Sequence, residues 1–445
     1  MIAPARQAAY EALCRIELRP AHSDDVLNSE IISRLEVRDR NLATEIAYGT
    51  LRWRAWLDYL IEGAVSRSWD SVESRLRILL RLSLYQMSRM DRVPDHAIIN
   101  DAVEIAKARL RPALAGFVNG VLRTLSRSRP WTLPDFHRDC PIWVRVSLPQ
   151  WLWERWEAQF GPDGACEYAL SLNRPPQTAF RLPGRQGPPT GCGPVATDAH
   201  AEAADPDPGS FSVSEWVPGA CLTKEGRQAP FSGEEHFQDE ASQLIPYLLG
   251  PIEGARVWDA CAAPGGKAAI LRARCGSSGW VICSDLDPGR ARRLLAFLER
   301  SSGAPFDVLI HDACAAAPFR MLFDAVLVDA PCSGLGTLRR NPELKWRFRP
   351  ERLRELGQRQ QQLLESVAPV VREGGLLLYS TCSTEPEENE SVVEEFLESH
   401  PEFRVRRPIS PAGIAGLLDQ QGVFRSYPGA RLWDGFFAAL MVRSS

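Results

Sequence analysis

From position 256 onward, short apolar runs recur, and each carries an acidic residue or a cysteine at or near its end: RVWDAC (256–261), WVICSD (280–285), FDVLIHDA (306–313), FDAVLVDAP (323–331) and GLLLYSTC (375–382). They are too short for helices and lack the alternation of a half-exposed strand, so they read as strands buried on both faces. Amphipathic stretches such as GRARRLLAFLER and ERLRELGQRQQQLLESVAPVV lie between several of them. Such alternation confines the segment to an α/β fold, a parallel sheet with helices on both sides. FRVRR and FFAALMVRSS read as closing strands. In sheets of this kind ligands bind beyond the carboxyl ends of the strands, where the polar residues of these runs collect.

The first strand runs into DACAAPGGKAAI, Asp259 to Ile270. Gly265 and Gly266 allow a sharp turn into a helix whose free N–H groups face a ligand. The spacing around Lys267 is not that of a P-loop, which disfavours a nucleotide triphosphatase. At the end of the second strand Asp285, or less favourably Asp287, is suited to the two hydroxyls of a ribose. Asp312, ending the third, is placed for the exocyclic amine of an adenine. Three such signals at three successive strand ends suggest an adenosine-containing cofactor.

The fourth strand ends in VDAPCSGLGTLRRNPELKW, with Asp329 and Cys332 flanking Ala330-Pro331 and a basic segment of Arg339, Arg340, Lys345, Trp346 and Arg347 beyond. The fifth ends at Cys382, followed by Thr384-x-x-Glu387 with Pro386, the pattern of a capping box opening the next helix. Neighbouring fourth and fifth strands bring both thiols to one rim, together with a carboxylate and a lysine. A thiolate suits attack on an electron-poor ring carbon that makes the adjacent carbon nucleophilic, as with C6 and C5 of cytosine. An ordinary thiol, with a pKa near ~8.5, is only slightly ionised at neutral pH, so positive charge or a helix N-terminus must assist it. The competing reading of Cys382 is a buried, inert small side chain.

Residues 1–130 read as an all-helical module, with LATEIAYGTLRWRAWLDYLIEGAV, SRLRILLRLSLYQMSRM and DHAIINDAVEIAKARL each showing apolar residues at three- and four-residue spacing. Arg52, Arg54, Arg77, Arg81, Arg109, Arg111 and Arg123 alternate there with Trp53, Trp56 and Phe117, either as a solvated face or as one that meets RNA. Residues 131–236 read as a linking subdomain of tryptophan-rich helices, a short strand at TAFRLP and a Gly/Pro-rich loop at 183–212; residues 237–445 are the α/β domain. The net charge of −4 does not mark a nucleic-acid binder by itself. Eleven cysteines without a C-x-x-C pair suggest thiols, with neither a disulfide framework nor a metal site. No leader-like or membrane-length apolar run is present, so a cytoplasmic protein without a membrane partner is expected. The only lysines are Lys107, Lys224, Lys267 and Lys345.

DACAAPGGK, DAPCSGLGT, NPELKW, YSTC followed by EENE, and YPGARLWDGFFAALM resemble the signature blocks of the RNA cytosine-C5 methyltransferases of the Sun/RsmB type. ATEIAYGTLRWR, VPDHAIINDAVEIAK and GFVNGVLR are similar to the NusB-like RNA-binding domain of its bacterial ribosomal members. The resemblance implies a Rossmann-like S-adenosylmethionine-dependent methyltransferase domain behind an all-α NusB-like domain, acting on C5 of a cytidine in 16S ribosomal RNA. It further implies that Cys261, Ala262, Ala263, Pro264, Gly265, Gly266 and Lys267, with Asp285, Asp312 and Asp329, hold the cofactor. Cys382 would be the nucleophile on C6, Cys332 would assist breakdown of the adduct, and Asp329 and Lys267 would orient or protonate the base. FRLP at 180–183 departs from the arginine-valine-asparagine run more usual in the family. DNA cytosine-C5 methyltransferases resemble only the Pro-Cys block, so the additional Thr-Cys block favours an RNA enzyme. Two other readings are a non-catalytic RNA-binding assembly factor and a methyltransferase acting on an exocyclic nitrogen, which would need no cysteine.

Overall fold

The computed structural model describes residues 2–444 apart from 20, 67, 92, 134–137, 182–210, 224–234, 410–413 and 428–432. All but the last two positions of the 183–212 loop, and Lys224, therefore lie outside the described residues. The chain divides into two compact units, residues 1–175 with 338–348, and residues 176–337 with 349–445. The segment 131–236 is thus shared between them, its helices counted with the first unit and its strands with the second.

The first unit is helical. Its main elements are α1 (Pro4–Leu18), α2 (Val37–Arg52), α3 (Arg54–Glu62), α4 (Ser74–Arg89), α5 (Asp95–Arg109), α6 (Ala115–Ser128) and α7 (Gln150–Leu172). The stretch from Leu42 to Val65, periodic throughout, breaks at Trp53 into two helices. Apolar stripes from α1 through α6 meet in one core around Leu13, Ile46, Leu57, Leu79, Ile98 and Leu122. Arg52 and Arg81 do not face solvent. Arg81 is buried against Asp58 and Glu17, at 2.6 and 2.8 Å, and Arg52 is buried with a guanidinium nitrogen 3.2 Å from the Arg339 carbonyl. Two of the seven arginines read as one face are therefore consumed in the unit's interior. Lys345 is buried there too: its Nζ donates to the carbonyls of Arg52 and Ser147 at 2.8 and 2.7 Å, and burial holds its pKa well below the usual value. The basic segment after the fourth strand is thus part of the helical unit and not of the thiol-bearing rim.

The second unit holds two sheets. The smaller has the order β2-β3-β1-β4, with β1 (Ala179–Arg181), β2 (Phe211–Val213), β3 (Ala220–Thr223) and β4 (His236–Phe237), paired antiparallel. The larger is built from β5 (Arg256–Asp259), β6 (Trp280–Asp285), β7 (Phe306–Ile310), β8 (Phe323–Asp329), β9 (Val371–Thr381), β10 (Phe403–Val405), β11 (Phe424–Ser426) and β12 (Phe436–Arg443). Its order is β10-β12-β9-β8-β5-β6-β7, with β11 beside β12. The pairs among β5 to β9 are parallel, and β12 runs antiparallel to β9. Helices α8 (Gly266–Cys275), α9 (Pro288–Leu298), α10 (Arg352–Val367) and α11 (Glu390–Ser399) make the crossovers. All seven strands expected from the apolar runs are present; β11 was not foreseen. The chain builds outward from β5 through β6 to β7, then returns to place β8 and β9 on the other flank of β5. That reversal opens a crevice beyond the carboxyl ends of β5 and β8.

Candidate active site

Each expected site residue in the second unit follows the end of a parallel strand. The turn Cys261–Gly266 follows β5 and Asp285 ends β6. Asp312 follows β7, Asp329 ends β8 with Cys332 three residues on, and Cys382 follows β9 directly. Register fixes this alignment, since Asp329 pairs with Ser380 across β8 and β9, and Asp259 with Leu327 across β5 and β8. Fifty positions of sequence therefore collapse to a contact: the sulfurs of Cys332 and Cys382 are 3.2 Å apart, and both cysteines are half-buried.

Beside the thiols, Lys267 Nζ donates to Asp329 Oδ2 at 2.7 Å, and Ser380 Oγ donates to Asp329 Oδ1 at 2.9 Å. Burial works against the ammonium, but the Asp329 carboxylate outweighs it, and Lys267 is held above its usual pKa with a smaller push from Cys382. Lys267 also lies 5.4 Å from the centre of the Phe436 ring. It is a lysine kept charged, not one poised to act as a neutral base. The Cys332 thiol is driven well above its ordinary range, first by its hydrogen bond with Cys382 and then by burial, so Cys332 retains its proton.

The backbone between the two cysteine loops is equally constrained. Gly336 N donates to the Cys382 carbonyl at 3.0 Å, and a methyl group at 336 would lie 2.0 Å from the Gly435 carbonyl oxygen. Only glycine fits there. The expected capping box does not form: a 3-10 turn over Pro386–Glu388 intervenes, and α11 starts at Glu390, eight residues beyond Cys382. The helix thus opens later than the spacing suggested, and Thr384 bonds sideways to Glu385.

The glycine turn suits a polar, cationic and hydroxylated ligand. Gly265 has φ of +120°, and a methyl group at Gly266 would sit 2.4 Å from His236 Nε2 and 2.6 Å from Gln238 Oε1, two buried polar atoms without a hydrogen-bond partner among the described residues. Asp259 is fully buried beneath the turn. Among the described residues neither of its oxygens makes a hydrogen bond of good geometry. Burial first, and then the Asp329 charge, push its carboxyl up to about 8, with the Cys261 amide and Lys267 moderating the effect. Asp285 Oδ1 accepts from Asp287 N at 3.0 Å, and Oδ2 lies 3.2 Å from an Arg290 guanidinium nitrogen. Asp287 is instead a helix cap, accepting from Arg290 N at 2.7 Å, which leaves Asp285 as the candidate for a ribose. Asp312 is exposed and accepts from Cys314 N at 3.0 Å. Carboxylates at three strand ends around a glycine cradle fit the ribose hydroxyls and ammonium of S-adenosylmethionine.

The sequence reading missed Ser380, Phe436, Arg290, His236 and Gln238, none of which stands in a strand-end acid or glycine signal. Among the described residues no cluster of three or more candidate metal ligands occurs, and no helix is long and apolar enough to cross a membrane.

Comparison with known proteins bears on both units. The family model described as 16S rRNA methyltransferase RsmB/F matches residues 246–442, and that of the NusB family matches residues 3–127. The probable ribosomal RNA small subunit methyltransferase B of Bacillus subtilis is 34% identical, with 98% of each chain covered. Ribosomal RNA small subunit methyltransferase B of Pseudomonas putida is 31% identical, again over 98% of each. The crystal structure of PH0851 is similar over 100% of this chain and 99% of its own, with a TM-score of 0.79 and 26% sequence identity.

Proposed function

This chain belongs to the RsmB/F family of 16S rRNA methyltransferases, and from that premise we propose that it methylates C5 of a cytidine in small-subunit ribosomal RNA through a transient bond between Cys382 and C6. The observation that carries the reading is the pair of sulfurs 3.2 Å apart at the ends of β8 and β9, next to the Lys267–Asp329 ion pair. A methyltransferase acting on an exocyclic nitrogen has no use for either thiol.

The chemistry follows from where each group stands. Cys382 directly follows β9 and lies close enough to Lys267 to raise the lysine's pKa, and in this reading it is the nucleophile, with Cys332 as the proton-bearing partner. The target base must leave its stack for the sulfur to reach C6. Cys382 Sγ then bonds to C6, and the electron pair of the C5–C6 double bond moves to C5, making that carbon nucleophilic. S-adenosylmethionine, when bound, supplies an electrophilic methyl group. Lys267, kept charged by Asp329, orients the ring and offsets the negative charge that develops at its nitrogen and oxygen edge. Solvent takes the proton from C5, that bonding pair restores the C5–C6 double bond, and the C6–S pair returns to Cys382 as it leaves. Cys332 is close enough to hand the departing sulfur a proton.

The test is to incubate the protein with methyl-labelled cofactor and unmodified 16S rRNA, and to repeat with Cys382→Ala and Cys332→Ala. The reading predicts C5-methylcytosine with the parent protein, none with Cys382→Ala, and an accumulating protein–RNA adduct with Cys332→Ala. Label arriving at N4, or full activity in Cys382→Ala, contradicts it.

A further inference from the structure

The residue that follows each cysteine is a serine, and both serines converge on one buried carboxylate. Glu388, in the 3-10 turn between β9 and α11, has no solvent exposure. Its Oε2 accepts from Ser333 Oγ and from Ser383 Oγ, each at 2.5 Å. Its Oε1 accepts from Ser333 N at 2.8 Å and from Gln360 Nε2 at 3.1 Å. Gln360 also donates to the carbonyl of Pro331 at 3.0 Å, so Cys332 is gripped from the residue before it and the residue after it. The Glu388 carbonyl in turn accepts from Tyr379 OH at 2.6 Å, anchoring the turn to β9 itself. The direct serine–serine contact is longer, with the oxygens 3.2 Å apart.

A carboxylate buried this deeply is strongly disfavoured unless its lone pairs are filled, and here four neutral donors fill both oxygens. The sequence therefore places a buried acid where an apolar residue would pack at lower cost; three of its four bonds go to the serines that follow the two thiols, and the fourth goes to Gln360 of α10, which itself holds the residue before Cys332. We infer that Glu388 is a positioning residue: its carboxylate ties the Cys332 loop to the Cys382 loop and sets the separation of the two sulfurs. The catalytic consequence rests on the proposed roles of Cys382 and Cys332; the tie itself does not. Glutamine at 388 would retain most of it, because Oε1 keeps its two N–H donors while the serine hydroxyls can rotate to accept from the new amide. Alanine would leave four buried donors without their acceptor.

The test uses the full-length protein and two readouts. The first needs no RNA: treat the protein with diamide, which takes up the two thiol hydrogens as the sulfurs join, and follow the Cys332–Cys382 cross-linked peptide by mass spectrometry. Thiols held in contact close much faster than thiols that must find each other, so Glu388→Ala should slow closure about tenfold or more and Glu388→Gln only about twofold. The second is the decay of the protein–RNA adduct, which should slow in Glu388→Ala and recover in Glu388→Gln. Should Glu388→Ala not fold, the Ser333→Ala/Ser383→Ala double variant removes both hydroxyl arms and should slow closure in the same direction. Closure at the parent rate in Glu388→Ala or in the double variant overturns the inference; equal slowing in Glu388→Gln and Glu388→Ala also overturns it, by assigning the effect to charge. If the parent protein methylates no cytidine yet closure responds as described, the proposed reaction fails and the tie stands.

Discussion

Replacing Gly336 by alanine tests whether the two cysteine loops must touch. The added methyl would lie 2.0 Å from the Gly435 oxygen, 2.7 Å from the Gly435 carbonyl carbon and 2.9 Å from the Cys382 oxygen. All three are backbone atoms, so no side chain can swing aside. Carbon and oxygen in close contact sit about 3.3 Å apart, which requires the loops to separate by roughly 1 Å. Two hydrogen bonds are strained by that movement, Gly336 N to Cys382 O at 3.0 Å and Gly435 N to Gly336 O at 2.7 Å. At about 1 kcal/mol for each bond and 1–3 kcal/mol for overpacking, the loss is about 3–5 kcal/mol. For a domain of this size that lowers the melting temperature by roughly 6–20 °C. A displacement of the nucleophile by about 1 Å should lower kcat about 100-fold. Thermal denaturation and single-turnover methyl transfer measure the two effects. Gly120 provides the control: it is exposed within α6 with nothing within 4 Å of an added methyl, so Gly120→Ala should stabilise by about 0.5–1 kcal/mol. A Gly336→Ala protein that melts within a degree or two of the parent and keeps its rate would refute the reasoning.

Three further outcomes are expected. Lys267→Met removes the ammonium that Asp329 holds, leaves that carboxylate without its ion-pair partner, and should reduce kcat on the order of 100-fold; a change of less than threefold in single-turnover assays contradicts its role. The carboxyl of Asp259 is pushed up to about 8 in the folded state, so the native protein binds a proton the unfolded chain has lost, and stability falls as pH rises from about 4 to about 8. Asp259→Asn should therefore gain stability over the parent progressively across that range, and a pH-independent difference in urea unfolding would refute the assignment. Trp258, fully buried and 6.0 Å from Phe323 between ring centres, should cost about 3–5 kcal/mol when replaced by alanine, read from the same unfolding curves.

Much of the catalytic half was legible because strands buried on both faces must be apolar throughout, and their ends are where the pattern stops. Val257, Val281, Val326 and Leu377 are buried as the runs imply, but FDVLI is not: β7 is the edge strand, covered on one side only, and Ile310 is exposed. The strand-end polar residues were legible for the same reason. The four short strands of the small sheet, two to four residues each, are below the length at which any period shows, and only Ala179–Arg181 was anticipated. The first half misled where charge stood for exposure: Arg81 reads as surface until Asp58 and Glu17 arrive from other helices to enclose it. Lys345 carried the same error, since nothing near it in sequence indicates the carbonyls of Arg52 and Ser147. Thr384 and Glu387 have capping-box spacing, but Ser333 and Ser383 draw the neighbouring Glu388 inward, and the helix starts later. For Arg81 and Lys345, and for Glu388 through Ser333, a deciding partner lies far away along the chain, which local pattern cannot convey.

The most direct measurement is a peptide map of the protein–RNA complex trapped with Cys332→Ala on unmodified 16S rRNA. The account predicts a nucleotide mass on the peptide containing Cys382, linked through its sulfur. No covalent complex, or a nucleotide attached at any other residue, contradicts it.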